Sequence, residues 1–301
     1  MKRGNRFGIW AVAVLAMSCA LAMGADDAKR SKSDESRIVV DGSTTVGPIA
    51  KAFAEYYMAL NEGVNVTVSE SGSGNGAKSL INGVCDIADM SRFMKDKEFK
   101  AAVEKGVQPV AHVVAMDGLA VVLHPANPVQ NLTVEQIRNI YMGKITNWKE
   151  VGGPNKKIVT ISRDTNSGTY ETFEGLVMSK QKIAPQCEYV GSNGQARQRV
   201  QSTPGAIAYV GLGFVDRTVK PVTVNGITAT RATVASGVYP IARPLYMFTN
   251  GYPKLGSPVH AFVTMHLTPK GQEIIESIGF VPLTQYPDAY RTVSEEKKVG
   301  E

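Results

Sequence analysis

The chain has 301 residues, of which 43% are hydrophobic and 20% are charged. This length holds one large or two medium domains, and the composition is that of a globular protein rather than a disordered chain. The formal net charge of +6 is mild and no dense basic run occurs along the chain, so nucleic acid is not an expected partner.

The N-terminus has the pattern of a secretory signal peptide. Three cations precede an apolar run from Phe7 to about Ala22, which is short for a membrane span, the alternative explanation. We expect residues 1–24 to be removed after Gly24, which lowers the formal charge from +6 to +3 because those residues hold three cations and no acids. The sequence therefore predicts a periplasmic protein, with Cys19 as an alternative site of lipid attachment.

The two remaining cysteines, Cys85 and Cys187, have neither CxxC spacing nor the spacing of metal ligands. Cys85 lies in an apolar run and is expected to be a buried small hydrophobe. Whether the two pair is open. The four histidines are scattered, so the sequence predicts no metal site and no cofactor.

Strands and helices alternate through the first part of the chain. After a polar leader at residues 25–36, expected to be disordered, "RIVVDG" predicts a strand and "STTVGPIAKAFAEYYMAL" a helix with apolar positions three and four apart. The pattern repeats as a strand in "VNVTVSE", a helix opened by "SGSGNGAKSLING" and a strand in "VCDIADMS". This order predicts an α/β fold.

Two long apolar extended runs bracket the middle of the chain. The first, residues 112–128, is interrupted by Asp117 and Gly118, and the second covers residues 238–250. We interpret them as two hinge crossings between two lobes, each with a mixed sheet flanked by helices. Lobe one is predicted at 37–117 and 246–301, and lobe two at 118–245.

Between and after these runs the chain carries further helix signals. Thr133 and Gln136 have the spacing of a capping box, and Thr268 with Pro269 predicts the start of a late helix. "KKIVTISR" predicts a strand that brings Arg163 to the start of another helix.

Three segments place hydroxyl groups and glycines between a strand and a helix. A helix N-terminus has free N–H groups and a favourable dipole for an anion, and glycine lets a guest approach the backbone. The alternative for each segment alone is an ordinary helix cap. Together they predict a site for a compact oxyanion, built from Ser43, Thr44 and Thr45, from Ser71 and Ser73, and from Arg163, Ser167 and Thr169.

Motifs of catalysis or nucleotide binding are absent from the sequence. "GNGAKS" differs from a P-loop because Ala77 stands where the glycine before Lys78 belongs. No G-x-S-x-G elbow and no HExxH motif occurs. The sequence therefore predicts a binding protein and not an enzyme.

Four segments, "DGSTTVGPIAKAFAEYY", "SGSGNGAKSLINGVCDIADMSR", "SRDTNSGTYETF" and "TPGAIAYVGLGF", resemble those of the periplasmic phosphate-binding proteins of bacterial ABC transporters. The resemblance covers about residues 37–285. It implies a two-lobed periplasmic-binding-protein fold of type II that closes over one phosphate. It also implies the site residues Ser43, Thr44, Thr45, Ser73 (or Ser71), Arg163, Ser167, Gly168 and Thr169.

One departure from this family concerns the acceptor of the phosphate proton. Some members carry an aspartate after the third strand, whereas Ser91 or Arg92 stands there in this chain. A buried carboxylate rewards a protonated oxygen and repels sulfate, which has no proton. We expect Asp117 to be the substitute acceptor, with Asp86 and Asp89 as weaker candidates, and selectivity over sulfate stays open.

The resulting hypothesis is a monomeric receptor that captures phosphate and delivers it to a membrane permease. Alternatives are a receptor for sulfate, molybdate or another tetrahedral anion, a sensor without transport, and a secreted phosphatase.

Overall fold

The computed structural model describes residues 36–283. The predicted signal peptide, most of the predicted leader and the C-terminal tail lie outside the described residues. The helices are α1 (Gly47–Leu60), α2 (Ser73–Ile81), α3 (Asp96–Glu104), α4 (Val134–Tyr141), α5 (Gly168–Leu176), α6 (Asn193–Gln201), α7 (Arg231–Ala235), α8 (Pro258–Val263) and α9 (Pro269–Ser277). The strands are β1 (Arg37–Gly42), β2 (Asn65–Ser69), β3 (Ile87–Met90), β4 (Pro109–Leu123), β5 (Asn131–Leu132), β6 (Val159–Arg163), β7 (Glu188–Val190), β8 (Ala206–Gly211), β9 (Lys220–Pro221), β10 (Thr223–Val224) and β11 (Ala242–Asn250).

The α/β class predicted from the alternating pattern is confirmed. The main sheet has the order β2-β1-β3-β11-β4-β8-β6-β7, with β9 also pairing with β4, and β10 pairs with β5 in a small second sheet. β1 and β3 are parallel, as are β6 and its neighbours β7 and β8, whereas β11 and β4 run antiparallel to theirs. The sheet is therefore mixed, with a parallel group towards each end.

Strand β4 joins the two halves of this sheet. It has 15 residues and pairs with β11 as far as Gly118, then with β8 from Leu119 onward. Asp117 and Gly118, which interrupt the apolar run in the sequence, lie inside this strand, and the strand continues through both residues. The reason is geometric: Asp117 pairs with Arg243 in β11, and the next residues change partner without leaving the extended conformation.

The hydrophobic residues pack in three clusters. The largest runs from Leu119 to Ile241 and includes Val281, whereas the other two combine residues between Ile38 and Ala115 with residues between Leu245 and Phe280. The predicted lobe boundaries stay a prediction, and Val281, which belongs to predicted lobe one, packs in the cluster formed mostly by predicted lobe two.

Local capping explains where several helices begin. Thr133 and Gln136 form the predicted capping box at α4, and the Thr268 side chain accepts from the Gly271 amide at α9. Ser167 accepts from the Tyr170 amide and thereby caps α5. These bonds satisfy helix N–H groups that have no partner within the helix.

The two described cysteines are free and buried. Burial raises the pKa of the Cys85 thiol to about 12 and that of Cys187 to about 11, so neither is a reactive thiolate at neutral pH. Within residues 36–283, the structure contains no helix with the length and apolar character that a membrane crossing requires.

Candidate functional site

The predicted hydroxyl groups converge where strands of the main sheet end and helices begin. Thr44 and Thr45 follow β1, Ser91 follows β3, and Ser167 and Thr169 follow β6. All five are buried. Parallel strands bring these ends to one edge of each parallel group, which is where α/β proteins place ligands.

Arg163, the last residue of β6, contacts Thr44 of this cluster and has 1% of its surface exposed. Its Nη2 donates to the carbonyl oxygen of Gly191 at 2.7 Å and to Oγ1 of Thr44 at 3.1 Å, and its Nε donates to the carbonyl oxygen of Val190 at 3.3 Å. Its Nη1 is buried and has no hydrogen-bond partner among the described residues. These contacts hold the guanidinium in place with one fully available nitrogen.

No carboxylate among the described residues forms an ion pair with Arg163 at hydrogen-bond distance. Burial lowers the pKa of Arg163 to about 10, and the nearby positive charge of Arg243 acts in the same direction. The group is still a cation at neutral pH. A buried cation in this state is costly unless an anion joins it.

A second arginine, Arg243 in β11, was not predicted from the sequence. Its Nη2 donates to Oδ2 of Asp117 at 2.8 Å and to Oγ1 of Thr169 at 2.9 Å, and its Nη1 donates to the carbonyl oxygen of Ser91 at 3.0 Å. A cation inside a predicted apolar strand was the available signal, because a buried arginine is rare unless it has a partner or a function.

Asp117 was predicted to accept the proton of the ligand. In the structure both of its oxygens are engaged: Oδ1 accepts from the Leu212 amide at 2.9 Å, and Oδ2 accepts from Nε and Nη2 of Arg243. Burial raises the pKa of this fully buried carboxyl, while the Arg243 charge and the Leu212 amide oppose that rise. Asp117 therefore positions and partly neutralises Arg243.

Asn193, at the start of α6, is a further residue that sequence reasoning missed. Its Nδ2 donates to Oγ1 of Thr45 at 2.9 Å and to Oγ1 of Thr44 at 3.4 Å, and its Oδ1 accepts from the Gly211 amide. The segment "YVGSNGQA" has the same strand, serine, glycine and helix order as the three predicted segments, so the signal was present.

Gly168 allows two serine hydroxyls to approach the start of α5. A Cβ atom at this position would lie 2.6 Å from Oγ of Ser73 and 2.6 Å from Oγ of Ser91. The Ser91 amide also donates to Oγ of Ser73 at 3.0 Å. The second and third predicted segments therefore meet at Gly168, where the absence of a side chain permits the close approach of Ser73 and Ser91.

Three predicted or neighbouring residues have other contacts. Ser71 is exposed and donates to Oδ1 of Asp41 at 2.7 Å, so it lies apart from the buried hydroxyls and Ser73 is the member of that segment that joins them. Ser43 accepts from the amides of Thr45 and Val46 and shapes the turn into α1. Arg92 forms a two-point ion pair with Glu98.

The mixed sheet and the buried polar cluster at strand ends define an α/β solute-binding protein of the periplasmic type. The chain belongs to the PBP superfamily: it matches the family model described as "PBP superfamily domain" over residues 27–264.

Relatives with curated names support this assignment. The chain is 34% identical over 297 residues to the "Phosphate-binding protein PstS" of Staphylococcus saprophyticus, covering 94% of this chain and 91% of the relative. It is 32% identical over 263 residues to the protein of the same name from Borreliella burgdorferi, covering 84% of this chain and 92% of the relative. Both relatives are named as phosphate-binding proteins and neither as an enzyme, which agrees with the prediction of a binding protein.

Solved structures agree. A putative phosphate ABC transporter substrate-binding protein from Clostridium perfringens, solved with bound phosphate, superposes with a TM-score of 0.76 at 31% identity, covering 82% of this chain and 99% of that chain. An ABC-type phosphate transport receptor from Vibrio cholerae gives a TM-score of 0.65 at 32% identity, covering 81% of this chain and 99% of that chain. The resemblance inferred from sequence motifs is thereby confirmed.

Proposed function

We propose that this chain is an extracytoplasmic receptor that binds one inorganic phosphate between two lobes and delivers it to an ABC transporter. The relatives named above are phosphate-binding proteins, and a phosphate-bound structure is among the similar folds. A signal peptide over residues 1–24 and a periplasmic location belong to this proposal, with lipid attachment at Cys19 as a variant of it.

The observation that carries the proposal is the unpartnered, buried Nη1 of Arg163. No carboxylate among the described residues hydrogen-bonds to Arg163, and the nearby hydroxyl groups are held by donors: Oγ1 of Thr44 accepts from Arg163 and Asn193, and Oγ1 of Thr169 accepts from Arg243. Of the two buried guanidinium groups, Arg243 is paired with a buried carboxylate, Asp117, whereas the negative charge that acts on Arg163 is that of Asp164, a half-buried side chain with no hydrogen bond to it among the described residues. A compact oxyanion would satisfy both the free nitrogen and the free charge.

The proposed phosphate-binding residues are contributed by both predicted lobes. The first predicted lobe would bind the anion through Thr44, Thr45, Ser73 and Ser91. The second would bind it through Arg163 and the N-terminus of α5. Ligand binding would then draw the two lobes together by a hinge motion at β4 and β11, the two strands that cross between them.

An ion-pair cluster supports a closed arrangement of the predicted lobes. Glu171 in α5 lies 2.7 Å from Nε of Arg92 and 2.9 Å from Nζ of Lys95, and both cations belong to the segment that follows β3. Arg92 is in turn held by Glu98. The cluster links the predicted second lobe to the first beside the proposed binding residues.

The experiment that tests this function is phosphate titration calorimetry on an Arg163→Ala variant of the mature chain, stripped of ligand by unfolding and refolding. We expect the dissociation constant to rise by about 100-fold or more, because a charge-assisted, buried contact is lost. Arg197→Ala is the matched control. This substitution removes the same charge, but from a surface residue that pairs with Asp216.

Equal phosphate affinity in Arg163→Ala and in the wild-type protein would contradict the proposed site. Loss of binding in both variants would show that net charge, rather than the cluster, controls affinity. Thermal melting of each variant without ligand separates loss of binding from loss of folding.

A further inference from the structure

We propose that Asn193 is a positioning residue that turns the hydroxyl hydrogens of Thr44 and Thr45 towards the bound anion. The inference rests on the proposed function and deepens it, because a threonine hydroxyl can either donate or accept and only a donor suits an anion. Asn193 acts through the two threonines rather than by its own contact with the ligand.

The first step is the orientation of the Asn193 side chain. An asparagine amide can present either its oxygen or its nitrogen to a neighbour, so its orientation follows from its hydrogen bonds. The Gly211 amide donates to Oδ1 of Asn193 at 3.2 Å. This bond fixes the oxygen and leaves Nδ2 to face the threonines. Asn193 is completely buried, so water does not compete for either end of the amide.

The second step concerns the two hydrogens of Nδ2, each of which has an acceptor. Nδ2 donates to Oγ1 of Thr45 at 2.9 Å and to Oγ1 of Thr44 at 3.4 Å. Oγ1 of Thr44 also accepts from Nη2 of Arg163 at 3.1 Å. Because a hydroxyl oxygen has two lone pairs and one hydrogen, both lone pairs of Thr44 are occupied and its hydrogen remains to be donated.

The hydroxyl hydrogen of Thr44 has no acceptor among the described residues. Both hydrogen bonds of its Oγ1 come from N–H donors, and the side chain is buried. A buried donor without an acceptor is costly, so the hydroxyl is available to a ligand oxygen. The guanidinium that holds Thr44 also carries the unpartnered Nη1 of Arg163. The two free donors are therefore neighbours.

Thr45 is oriented in the same way. Its Oγ1 accepts from Nδ2 of Asn193 at 2.9 Å and from Nη2 of Arg243 at 3.4 Å. With both lone pairs occupied, its hydrogen is left for Oγ1 of Thr169, 2.9 Å away, or for a ligand oxygen. Without Asn193, either threonine could rotate and offer a lone pair, which an anion repels.

The same contact connects the two predicted lobes. Thr44 and Thr45 belong to the predicted first lobe, whereas Asn193 and Gly211 belong to the second. The threonines would therefore be fixed as donors when the lobes close, so that closure and completion of the donor set occur together. Loss of Asn193 should accordingly speed the release of phosphate more than it slows its binding.

The test is a double-mutant cycle on the ligand-stripped mature chain, with phosphate dissociation constants measured by calorimetry. Asn193→Ala is made in wild type, in Thr44→Val and in Thr45→Val, because valine keeps the shape of threonine without the hydroxyl. We expect Asn193→Ala to raise the dissociation constant about tenfold in wild type and about threefold in each valine background, where one of its two contacts is already lost.

Ser192→Ala is the matched control for the start of α6. Ser192 caps this helix by accepting from the Gln195 amide, and it has no hydrogen bond to either threonine in the described structure. We expect the phosphate dissociation constant of this variant to change less than about twofold. Thermal melting of each ligand-free variant separates loss of binding from loss of folding.

A second substitution tests the direction of the hydrogen bonds while keeping the shape of the side chain. Asn193→Asp still accepts from the Gly211 amide, but an ionised carboxylate cannot donate to the threonines. Their hydrogens would turn to the carboxylate, so we expect the dissociation constant to rise about 100-fold or more at neutral pH. The ratio of this constant to that of wild type should fall as the pH is lowered and the carboxyl group takes up a proton.

Two results would overturn the inference. Equal factors for Asn193→Ala in all three backgrounds would show that Asn193 acts independently of the threonines. Unchanged phosphate affinity in a folded Asn193→Asp variant would show that the donor direction does not matter, and this variant decides the question if Asn193→Ala fails to fold. Absence of phosphate binding by the wild-type protein would instead overturn the proposed function, and this inference with it.

Discussion

Asp117 and Arg243 form a fully buried ion pair, with Oδ2 of the carboxylate 2.8 Å from Nη2 of the guanidinium. The two residues face each other across β4 and β11, 126 residues apart in sequence. The pair sits at the point where β4 changes partner from β11 to β8. It therefore connects the strands that cross the molecule with the cluster of proposed binding residues.

Replacement of Asp117 by asparagine should destabilise the protein more than it weakens phosphate binding. The change leaves a buried, unpaired cation at Arg243, and breaking a buried pair from one side costs about 3–5 kcal/mol in the free energy of unfolding. Urea unfolding of the phosphate-free protein measures this loss. We expect phosphate affinity to fall by less than about threefold, since the freed charge of Arg243 attracts an anion.

The opposite result would restore the role that the sequence suggested. If Asp117→Asn kept its stability but lost phosphate binding with sulfate binding intact, Asp117 would be the acceptor of the ligand proton.

Replacement of Glu171 by glutamine should speed the release of phosphate. Glu171 contacts Arg92 and Lys95, which lie on the predicted first lobe, so the neutral side chain weakens a contact of the closed form. We expect the dissociation rate to rise roughly tenfold, with a smaller change in the association rate. Stopped-flow displacement of phosphate measures both.

Glu188→Gln is the control for this variant, because Glu188 pairs with Arg199 on a half-exposed surface of one predicted lobe. Equal dissociation rates in the Glu171 and Glu188 variants would contradict a role for the cluster in closure.

Asp89 should make the protein less stable as the pH rises. Its carboxyl oxygens are buried without a hydrogen-bond partner among the described residues, and burial, followed by the charges of Asp41 and Glu70, raises its pKa well above the ordinary value. An acid with a raised folded-state pKa contributes stability that is fully present below its unfolded pKa, about 4, and is lost as the pH rises through the folded pKa.

The variant Asp89→Asn keeps the shape of the neutral acid and removes this titration. Relative to wild type, its free energy of unfolding should increase with pH above about 4, by up to about 1.4 kcal/mol per pH unit. Asp216→Asn should show the opposite trend of the free energy of unfolding with pH relative to wild type, because hydrogen bonds from Thr218 lower the pKa of Asp216. A pH-independent difference between Asp89→Asn and wild type would show that Asp89 is not held neutral.

Phosphate affinity should increase with pH through the second pKa of phosphate, whereas sulfate affinity should stay level. The cluster offers several donors, among them the buried Nη1 of Arg163, and charge-assisted donors favour an oxygen without a proton, so the site suits the dianion with one proton rather than the monoanion with two. Below that pKa each pH unit should lower the apparent phosphate affinity about tenfold. Tightest phosphate binding at acid pH would contradict this expectation.

The α/β class and the helix starts were predictable because both depend on short-range patterns. Apolar residues three and four positions apart predict α1. Thr133 caps α4 and Ser167 caps α5, and each side chain accepts from the amide of the residue three positions further along the chain. The hydroxyl-rich turns could be recognised for the same reason.

Arg243 and the state of Asp117 could not be predicted in the same way. Their contact depends on the register between β4 and β11, and that register is set by packing of residues more than 100 positions apart. The approach of Ser91 to Ser73 depends on the absence of a side chain at Gly168, a three-way contact between segments that are separate in sequence. Contacts of this kind between distant segments can be identified only when the pairing of the strands is known.

The most direct test of the account is calorimetric titration of the refolded, ligand-free wild-type chain with inorganic phosphate. The account predicts one phosphate per chain, bound with release of heat as the buried Nη1 of Arg163 gains its partner. Absence of phosphate binding, or binding of more than one weakly held phosphate per chain, would contradict it and return the three hydroxyl-rich turns to the role of helix caps.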